Sequence, residues 1–176
     1  MKRFLTILAL CLCTLGAFAQ NTRFPEVDEI AQIEVNDVVA YEVFCVTRDG
    51  VRQYYFCVGN LGIGDDVLQV MFDPVYKLYI PLGSTFAEAM EHMQQLKIQV
   101  QNAAGTRTEW AGNFAPLLPT EERETVTVTT RKGLFCRRLE FSLERDGYIR
   151  STSVSKSDLN NLLFNLKLNS KRYENR

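Results

Sequence analysis

The chain has 176 residues, 20 basic and 21 acidic side chains, a formal net charge of −1 and 46% hydrophobic residues, enough for one domain with a sizeable core. That balance lacks the basic excess of a nucleic-acid binder, so no nucleic-acid partner is expected. One histidine and five cysteines, with no C-x-x-C and no H-E-x-x-H, supply no ligand spacing, so neither metal nor cofactor is expected.

Residues 1–19 read as an export signal. Lys2 and Arg3 precede an apolar run from Phe4 to Leu15, and Gly16-Ala17-Phe18-Ala19 ends in the small-x-small pattern that signal peptidases accept. The run falls short of the ~20 residues that span a bilayer as a helix, so cleavage near Ala19 is expected, with no transmembrane segment afterwards. The bulky Leu10 and Leu12 before Cys11 and Cys13 argue against a lipoprotein. This compact signal, and the lack of any N-x-[ST] acceptor, fit a bacterial periplasmic or secreted protein.

Residues 20–176 then form one α+β domain with 18 basic and 21 acidic residues, a net of −3. Charge divides unevenly: residues 20–105 hold 5 basic and 12 acidic residues (net −7), and residues 106–176 hold 13 and 9 (net +4). Two solvated surfaces of one domain account for this, although such a split also suits a charged partner.

In chain order, AQIEV, VVAYEVFCV and VRQYYFCV predict three strands, the last two hinged at Asp49-Gly50, a pair favoured where both turn residues need positive φ. VLQVMF and VYKLYI predict a further hairpin at Asp73-Pro74. PLGSTFAEAMEHMQQLKI changes period: Thr85-x-x-Glu88 is a capping box, and Phe86, Met90, Met93 and Leu96 share a helical stripe. Gln101 to Pro119 reads as a loop-like connector. ETVTVTT, GLFCRRLEFSLE and YIRSTSV follow as strands, with turns at Arg131-Lys132-Gly133 and Arg145-Asp146-Gly147. A last helix, SKSDLNNLLFNLKL, takes Ser157 as N-cap and Leu159, Leu162, Leu163 and Leu166 as its stripe.

These elements predict antiparallel meanders with helices packed on one face, arranged as two degenerate β-β-β-α units over 27–100 and 120–170. An Arg-Asp-Gly turn recurs 97 residues apart and a Leu-Lys-aliphatic triplet 70 residues apart, so the first unit would carry an insertion of about 27 residues, the VLQVMF/VYKLYI hairpin.

The Asp49-Gly50 turn places Cys45 opposite Tyr54 and Cys57 opposite Glu42, on opposite sheet faces, which excludes a Cys45–Cys57 disulfide. Three buried free thiols are expected, with Cys136 the only cysteine able to pair with either of the others.

Chemistry-bearing residues are sparse. His92 stands mid-helix without a nucleophile elbow. Gly62, Gly64, Asp65 and Asp66 form the most unusual loop, yet fit neither a phosphate loop nor a calcium loop. Glu42, Asp65, Asp66, Asp73 and Glu140 show no spacing that selects a carboxylate pair. The basic run from Arg131 to Arg138 reads as a turn and a solvated strand, and the aromatics Tyr54-Tyr55-Phe56, Tyr76 and Tyr79 as core. Trp110, beside Asn113 and Phe114 in the connector, is the best binding anchor. The sequence therefore predicts a non-catalytic binding module for a protein or polymer of the cell envelope, with Trp110, Phe114, Gly62, Gly64, Asp65 and Asp66 as binding candidates. The alternatives are a hydrolase using Asp65, Asp66 or Glu42, and a carrier for a small apolar ligand.

Overall fold

The computed structural model describes residues 25–35, 38–59, 77–133, 136–145 and 147–173. The candidates Gly62, Gly64, Asp65 and Asp66, the segment VLQVMF, Asp73, Leu134, Phe135, Asp146 and residues 1–19 lie outside the described residues.

The fold is α+β, with two four-stranded antiparallel meanders, each followed by a helix. The first sheet holds β1 (Glu26–Val35), β2 (Val38–Arg48), β3 (Val51–Gly59) and β4 (Lys77–Gly83), and leads into α1 (Phe86–Gln99). The second holds β5 (Arg107–Gly112), β6 (Glu124–Lys132), β7 (Arg137–Arg145) and β8 (Tyr148–Ser155), and leads into α2 (Lys156–Tyr173). Among the described residues each unit holds four strands and a helix, where three strands and a helix are expected. No described helix is long and apolar enough to cross a membrane.

Local chemistry explains the turns. Asp49 and Gly50 adopt φ of 53° and 80°, a two-residue turn that pairs Arg48 with Val51. Arg145 pairs with Tyr148 in the same way, with Gly147 at φ 77°. Helix α1 begins with the expected capping box: Thr85 Oγ1 accepts the Glu88 N–H at 3.2 Å, and Glu88 Oε2 accepts the Thr85 N–H at 3.0 Å.

Four other expectations are corrected. The connector contains strand β5, so Trp110 is a strand residue and not a loop residue. Helix α2 is capped by Ser155 and not Ser157, because Ser155 Oγ accepts the Asp158 N–H at 3.1 Å and donates to Asp158 Oδ2 at 2.7 Å. Arg131 and Lys132 belong to strand β6 and not to a turn, and the Gly133 N–H donates to the Cys136 carbonyl at 2.8 Å. Cys136 is exposed and not buried as expected, whereas Cys45 and Cys57 are buried free thiols on opposite faces as the register requires.

Both units share one core. Phe56 and Phe141, each fully buried, meet edge-on at 6.0 Å between the sheets. Tyr41 donates to the Ser153 carbonyl at 2.9 Å, Thr152 to the Gly59 carbonyl at 3.0 Å, and Asn169 to the Ile30 carbonyl at 2.7 Å. Phe86 of α1 stacks on Tyr173 of α2 at 5.9 Å. The opposite face of the first sheet carries a second cluster: Phe44, Val46, Tyr55 and Cys57 are buried, with Tyr79 packed against them. The segment after β5 crosses this face, held by an Arg48–Glu121 ion pair at 3.1 Å and by Arg123 Nη2 donating to Gln53 Oε1 at 3.2 Å.

Candidate functional site

Among the described residues, the two sheets pair edge to edge at one bridge. Tyr79 of β4 and Asn113, just past β5, exchange main-chain hydrogen bonds of 2.8 and 3.0 Å. In an antiparallel ladder, alternate residues face the same neighbour, so the next exchange would join Pro81 to Ala111. Pro81 has no N–H to give, and the ladder stops after one rung. Close approach at that rung needs Gly112, where a Cβ would stand 2.5 Å from Val126 Cγ2 and 3.2 Å from the Tyr79 carbonyl oxygen.

Beyond Pro81 the strands part, leaving an open groove of about 430 Å³ lined by Gln53, Pro81, His92, Glu109, Trp110 and Arg123 among others. One wall is the outer edge of β5. Since Asn113 spends its N–H and C=O on β4, the main-chain groups of Ala111, Glu109 and Arg107 point to that same side, away from β6. None of the three has a main-chain partner there among the described residues.

Trp110 forms part of this lining and is half-buried against the core. Its Nε1 donates to Thr108 Oγ1 at 3.1 Å, Thr108 donates to Gln99 Oε1 at 2.8 Å, and Gln99 Nε2 donates to the Val128 carbonyl at 3.0 Å. This chain fixes the indole through α1 and β6. His92 meets the indole edge-on at 5.7 Å and places Nδ1 2.7 Å from the Leu82 carbonyl. A carbonyl only accepts, so Nδ1 carries the proton, and in the neutral ring Nε2 remains an acceptor. Leu82 is available because it is the extra residue of a bulge, with Tyr54 opposite Gly83 but Tyr55 opposite Pro81.

Gln53 is buried at 2% exposure and acts as a junction. Its Nε2 donates to the carbonyls of Gly83 and Tyr54 at 2.8 and 3.0 Å, while its Oε1 receives Arg123. Arg123 has no ion pair among the described residues, and its guanidinium lies beside the Tyr55 hydroxyl. Its charge is felt by Tyr55, whose hydroxyl burial pushes up to about 12 while Arg123 pulls the other way.

Trp110 and Phe114 do not share a site. Phe114 packs at the far end of the seam under the Arg150 guanidinium, 5.4 Å from the ring centroid, and lines a cavity of only about 10 Å³ with Leu78 and Phe141. Such a space holds one water at most, so it offers no room for a carried ligand. Among the carboxylates weighed for hydrolysis, Glu42 pairs with Lys77 at 3.5 Å and Glu140 with Arg131 at 2.8 Å, on separate sheets. No cluster of three metal-binding side chains occurs among the described residues. Burial pushes the Cys57 thiol well up, which makes it a poor nucleophile.

Sequence reading singled out Trp110 but not Gln53, Pro81 or Arg123 as its neighbours. The one signal that pointed to the seam was Pro81 beside a predicted strand, since proline in a sheet is confined to edges and bulges. No protein-family model matches the chain, and no curated protein or solved structure is significantly similar to it.

Proposed function

We propose that the protein is an exported, non-catalytic binding module that takes up an extended polypeptide as an added strand along β5. The observation that carries this reading is the outward edge of Arg107, Glu109 and Ala111, which has no main-chain partner among the described residues where Pro81 ends the ladder. Strand addition draws affinity from main-chain hydrogen bonds and selectivity from side-chain pockets. Here the fixed indole of Trp110 supplies the apolar anchor, with Gln53 and His92 as hydrogen-bonding groups beside it.

A photocrosslinking side chain at Ala111, which is exposed on the edge, tests the reading in the envelope of the producing cell. The expected result is one defined polypeptide captured at Ala111 and none from the same probe at Lys167 on the exposed face of α2. Equal capture at both positions, or none at Ala111, defeats it. Export is tested by intact mass: a chain beginning at Gln20, or its pyroglutamate, is expected, and a chain retaining residues 1–19 or carrying acyl mass defeats that part.

A further inference from the structure

Among the described residues, the groove holds a cation without a counter-ion. Arg123 carries five N–H donors, of which Nη2 meets the neutral oxygen of Gln53, and the guanidinium lies beside the neutral Tyr55 hydroxyl. Two neighbouring acids are paired with other cations, Glu121 with Arg48 at 3.1 Å and Glu124, through Oε1, with Arg145 at 3.3 Å, while Glu122 is exposed and Glu124 Oε2 is buried without a hydrogen-bond partner. Glu109 lines the same groove but forms no ion pair with Arg123. A partly buried guanidinium that meets only neutral groups is costly unless an anion completes it, and a planar fork suits a carboxylate.

We infer that the strand bound along β5 carries a carboxylate, from an Asp or Glu side chain or from its own C-terminus, which pairs with Arg123. This rests on the strand-addition reading. Register supports one fixed position for the acid, because the β5 edge sets where the added strand lies, and Gln53, buried and anchored on Gly83 and Tyr54, holds Arg123 in place. Electrostatically, the acid would replace the missing partner and leave the Gln53 bond intact.

The test is selection of binders to the purified protein from random linear twelve-residue peptides, displayed with free and with amidated C-termini. The expected peptides alternate apolar and polar residues and share an acid at one position. Changing that acid to its amide weakens binding about tenfold to a hundredfold, the range of a charge-assisted hydrogen bond. In the Arg123→Gln protein the same change has little effect; Arg123→Lys, which keeps the charge without the fork, gives an intermediate result and guards against a folding defect in the first variant. A preference confined to free C-termini assigns the carboxylate to the chain end. Binders with no shared acid, or whose acid is indifferent to Arg123→Gln, overturn the inference and leave strand addition standing. Failure to select any binder, or binders unaffected by Glu109→Pro, which removes one outward N–H and no β6 bond, overturns strand addition and the inference with it.

Discussion

The two sheets have the same strand order and the same following helix, yet they bury their faces differently. In the first sheet both faces are covered: Tyr54 and Phe56 point to the shared core, and Phe44, Tyr55 and Cys57 lie under the segment that carries Glu121 and Arg123. In the second, Val126, Val128, Leu139 and Phe141 fill the core, while Thr125, Thr127, Ser142 and Glu144 line an open concavity of about 590 Å³. Strand β3 is accordingly buried without interruption from Gln53 to Gly59, whereas β7 alternates and β6 does so as far as Val128. The sheet with two covered faces reads as a continuous apolar run, and the sheet with one reads as period two.

Alkali breaks this comparison most strongly, because it acts on the first sheet. Burial pushes the hydroxyls of Tyr41, Tyr54 and Tyr55 up to about 12, from about 10, and Tyr79 shifts the same way. A folded pKa above the unfolded one means that the stabilisation is complete below pH 10 and is lost as pH rises through 12. Each tyrosine then accounts for up to about 2–3 kcal/mol. Tyrosinate absorbance followed against pH should rise with unfolding in that window; smooth titration near pH 10 without unfolding contradicts the buried aromatics.

Truncations sharpen it next. Phe56→Ala and Phe141→Ala, on either side of the shared core, should each cost about 3–5 kcal/mol in urea denaturation. Tyr55→Ala on the covered outer face should cost nearly as much. Thr127→Ala on the open face of the second sheet should stay within about 0.5 kcal/mol. If Tyr55→Ala is as mild as Thr127→Ala, the two outer faces are equivalent and the difference drawn here fails.

Gly112→Ala addresses the seam between the sheets. The added methyl meets Val126 Cγ2 and the Tyr79 carbonyl, so a loss of about 1–3 kcal/mol is expected from overpacking. Amide exchange at Tyr79 and Asn113 should rise with it, since their two hydrogen bonds are the only described main-chain rung between the sheets. Unchanged exchange at those amides would show that the sheets approach by some other contact.

Local signals made much of this fold legible, and topology-dependent ones did not. Asp49-Gly50 fixed the β2–β3 register and hence the separation of Cys45 from Cys57. Thr85 and Glu88 marked the start of α1 correctly. Ser157 misled because three serines surround the start of α2; only Ser155 has an acidic residue three positions on, Asp158, to complete a reciprocal cap. β5 escaped because RTEWAG is a short edge strand, exposed at alternate positions and flanked by turn residues. The groove was less legible still. Trp110 stood out by residue type, but Gln53, His92 and Arg123 arrive from β3, α1 and the segment before β6, and Pro81 acquires its role only when β4 lies beside β5.

The smallest expected effect concerns what holds the cover on the first sheet. Arg48 and Glu121 are both 37% exposed at the side chain, so water screens their 3.1 Å pair, and a double-mutant cycle should return only about 0.2–1 kcal/mol, falling with added salt. The apolar contacts of Phe44 and Tyr55, stacked at 5.6 Å with Tyr79 edge-on to both, should carry most of the attachment. Arg48→Met with Glu121→Gln should then leave Arg123 seated on Gln53 and the groove intact, whereas Tyr55→Ala should loosen both. A coupling well above that range, insensitive to salt, would reverse this ranking: the cover would be pinned by charge at its rim, and Arg123 would depend on that pin for its place in the groove.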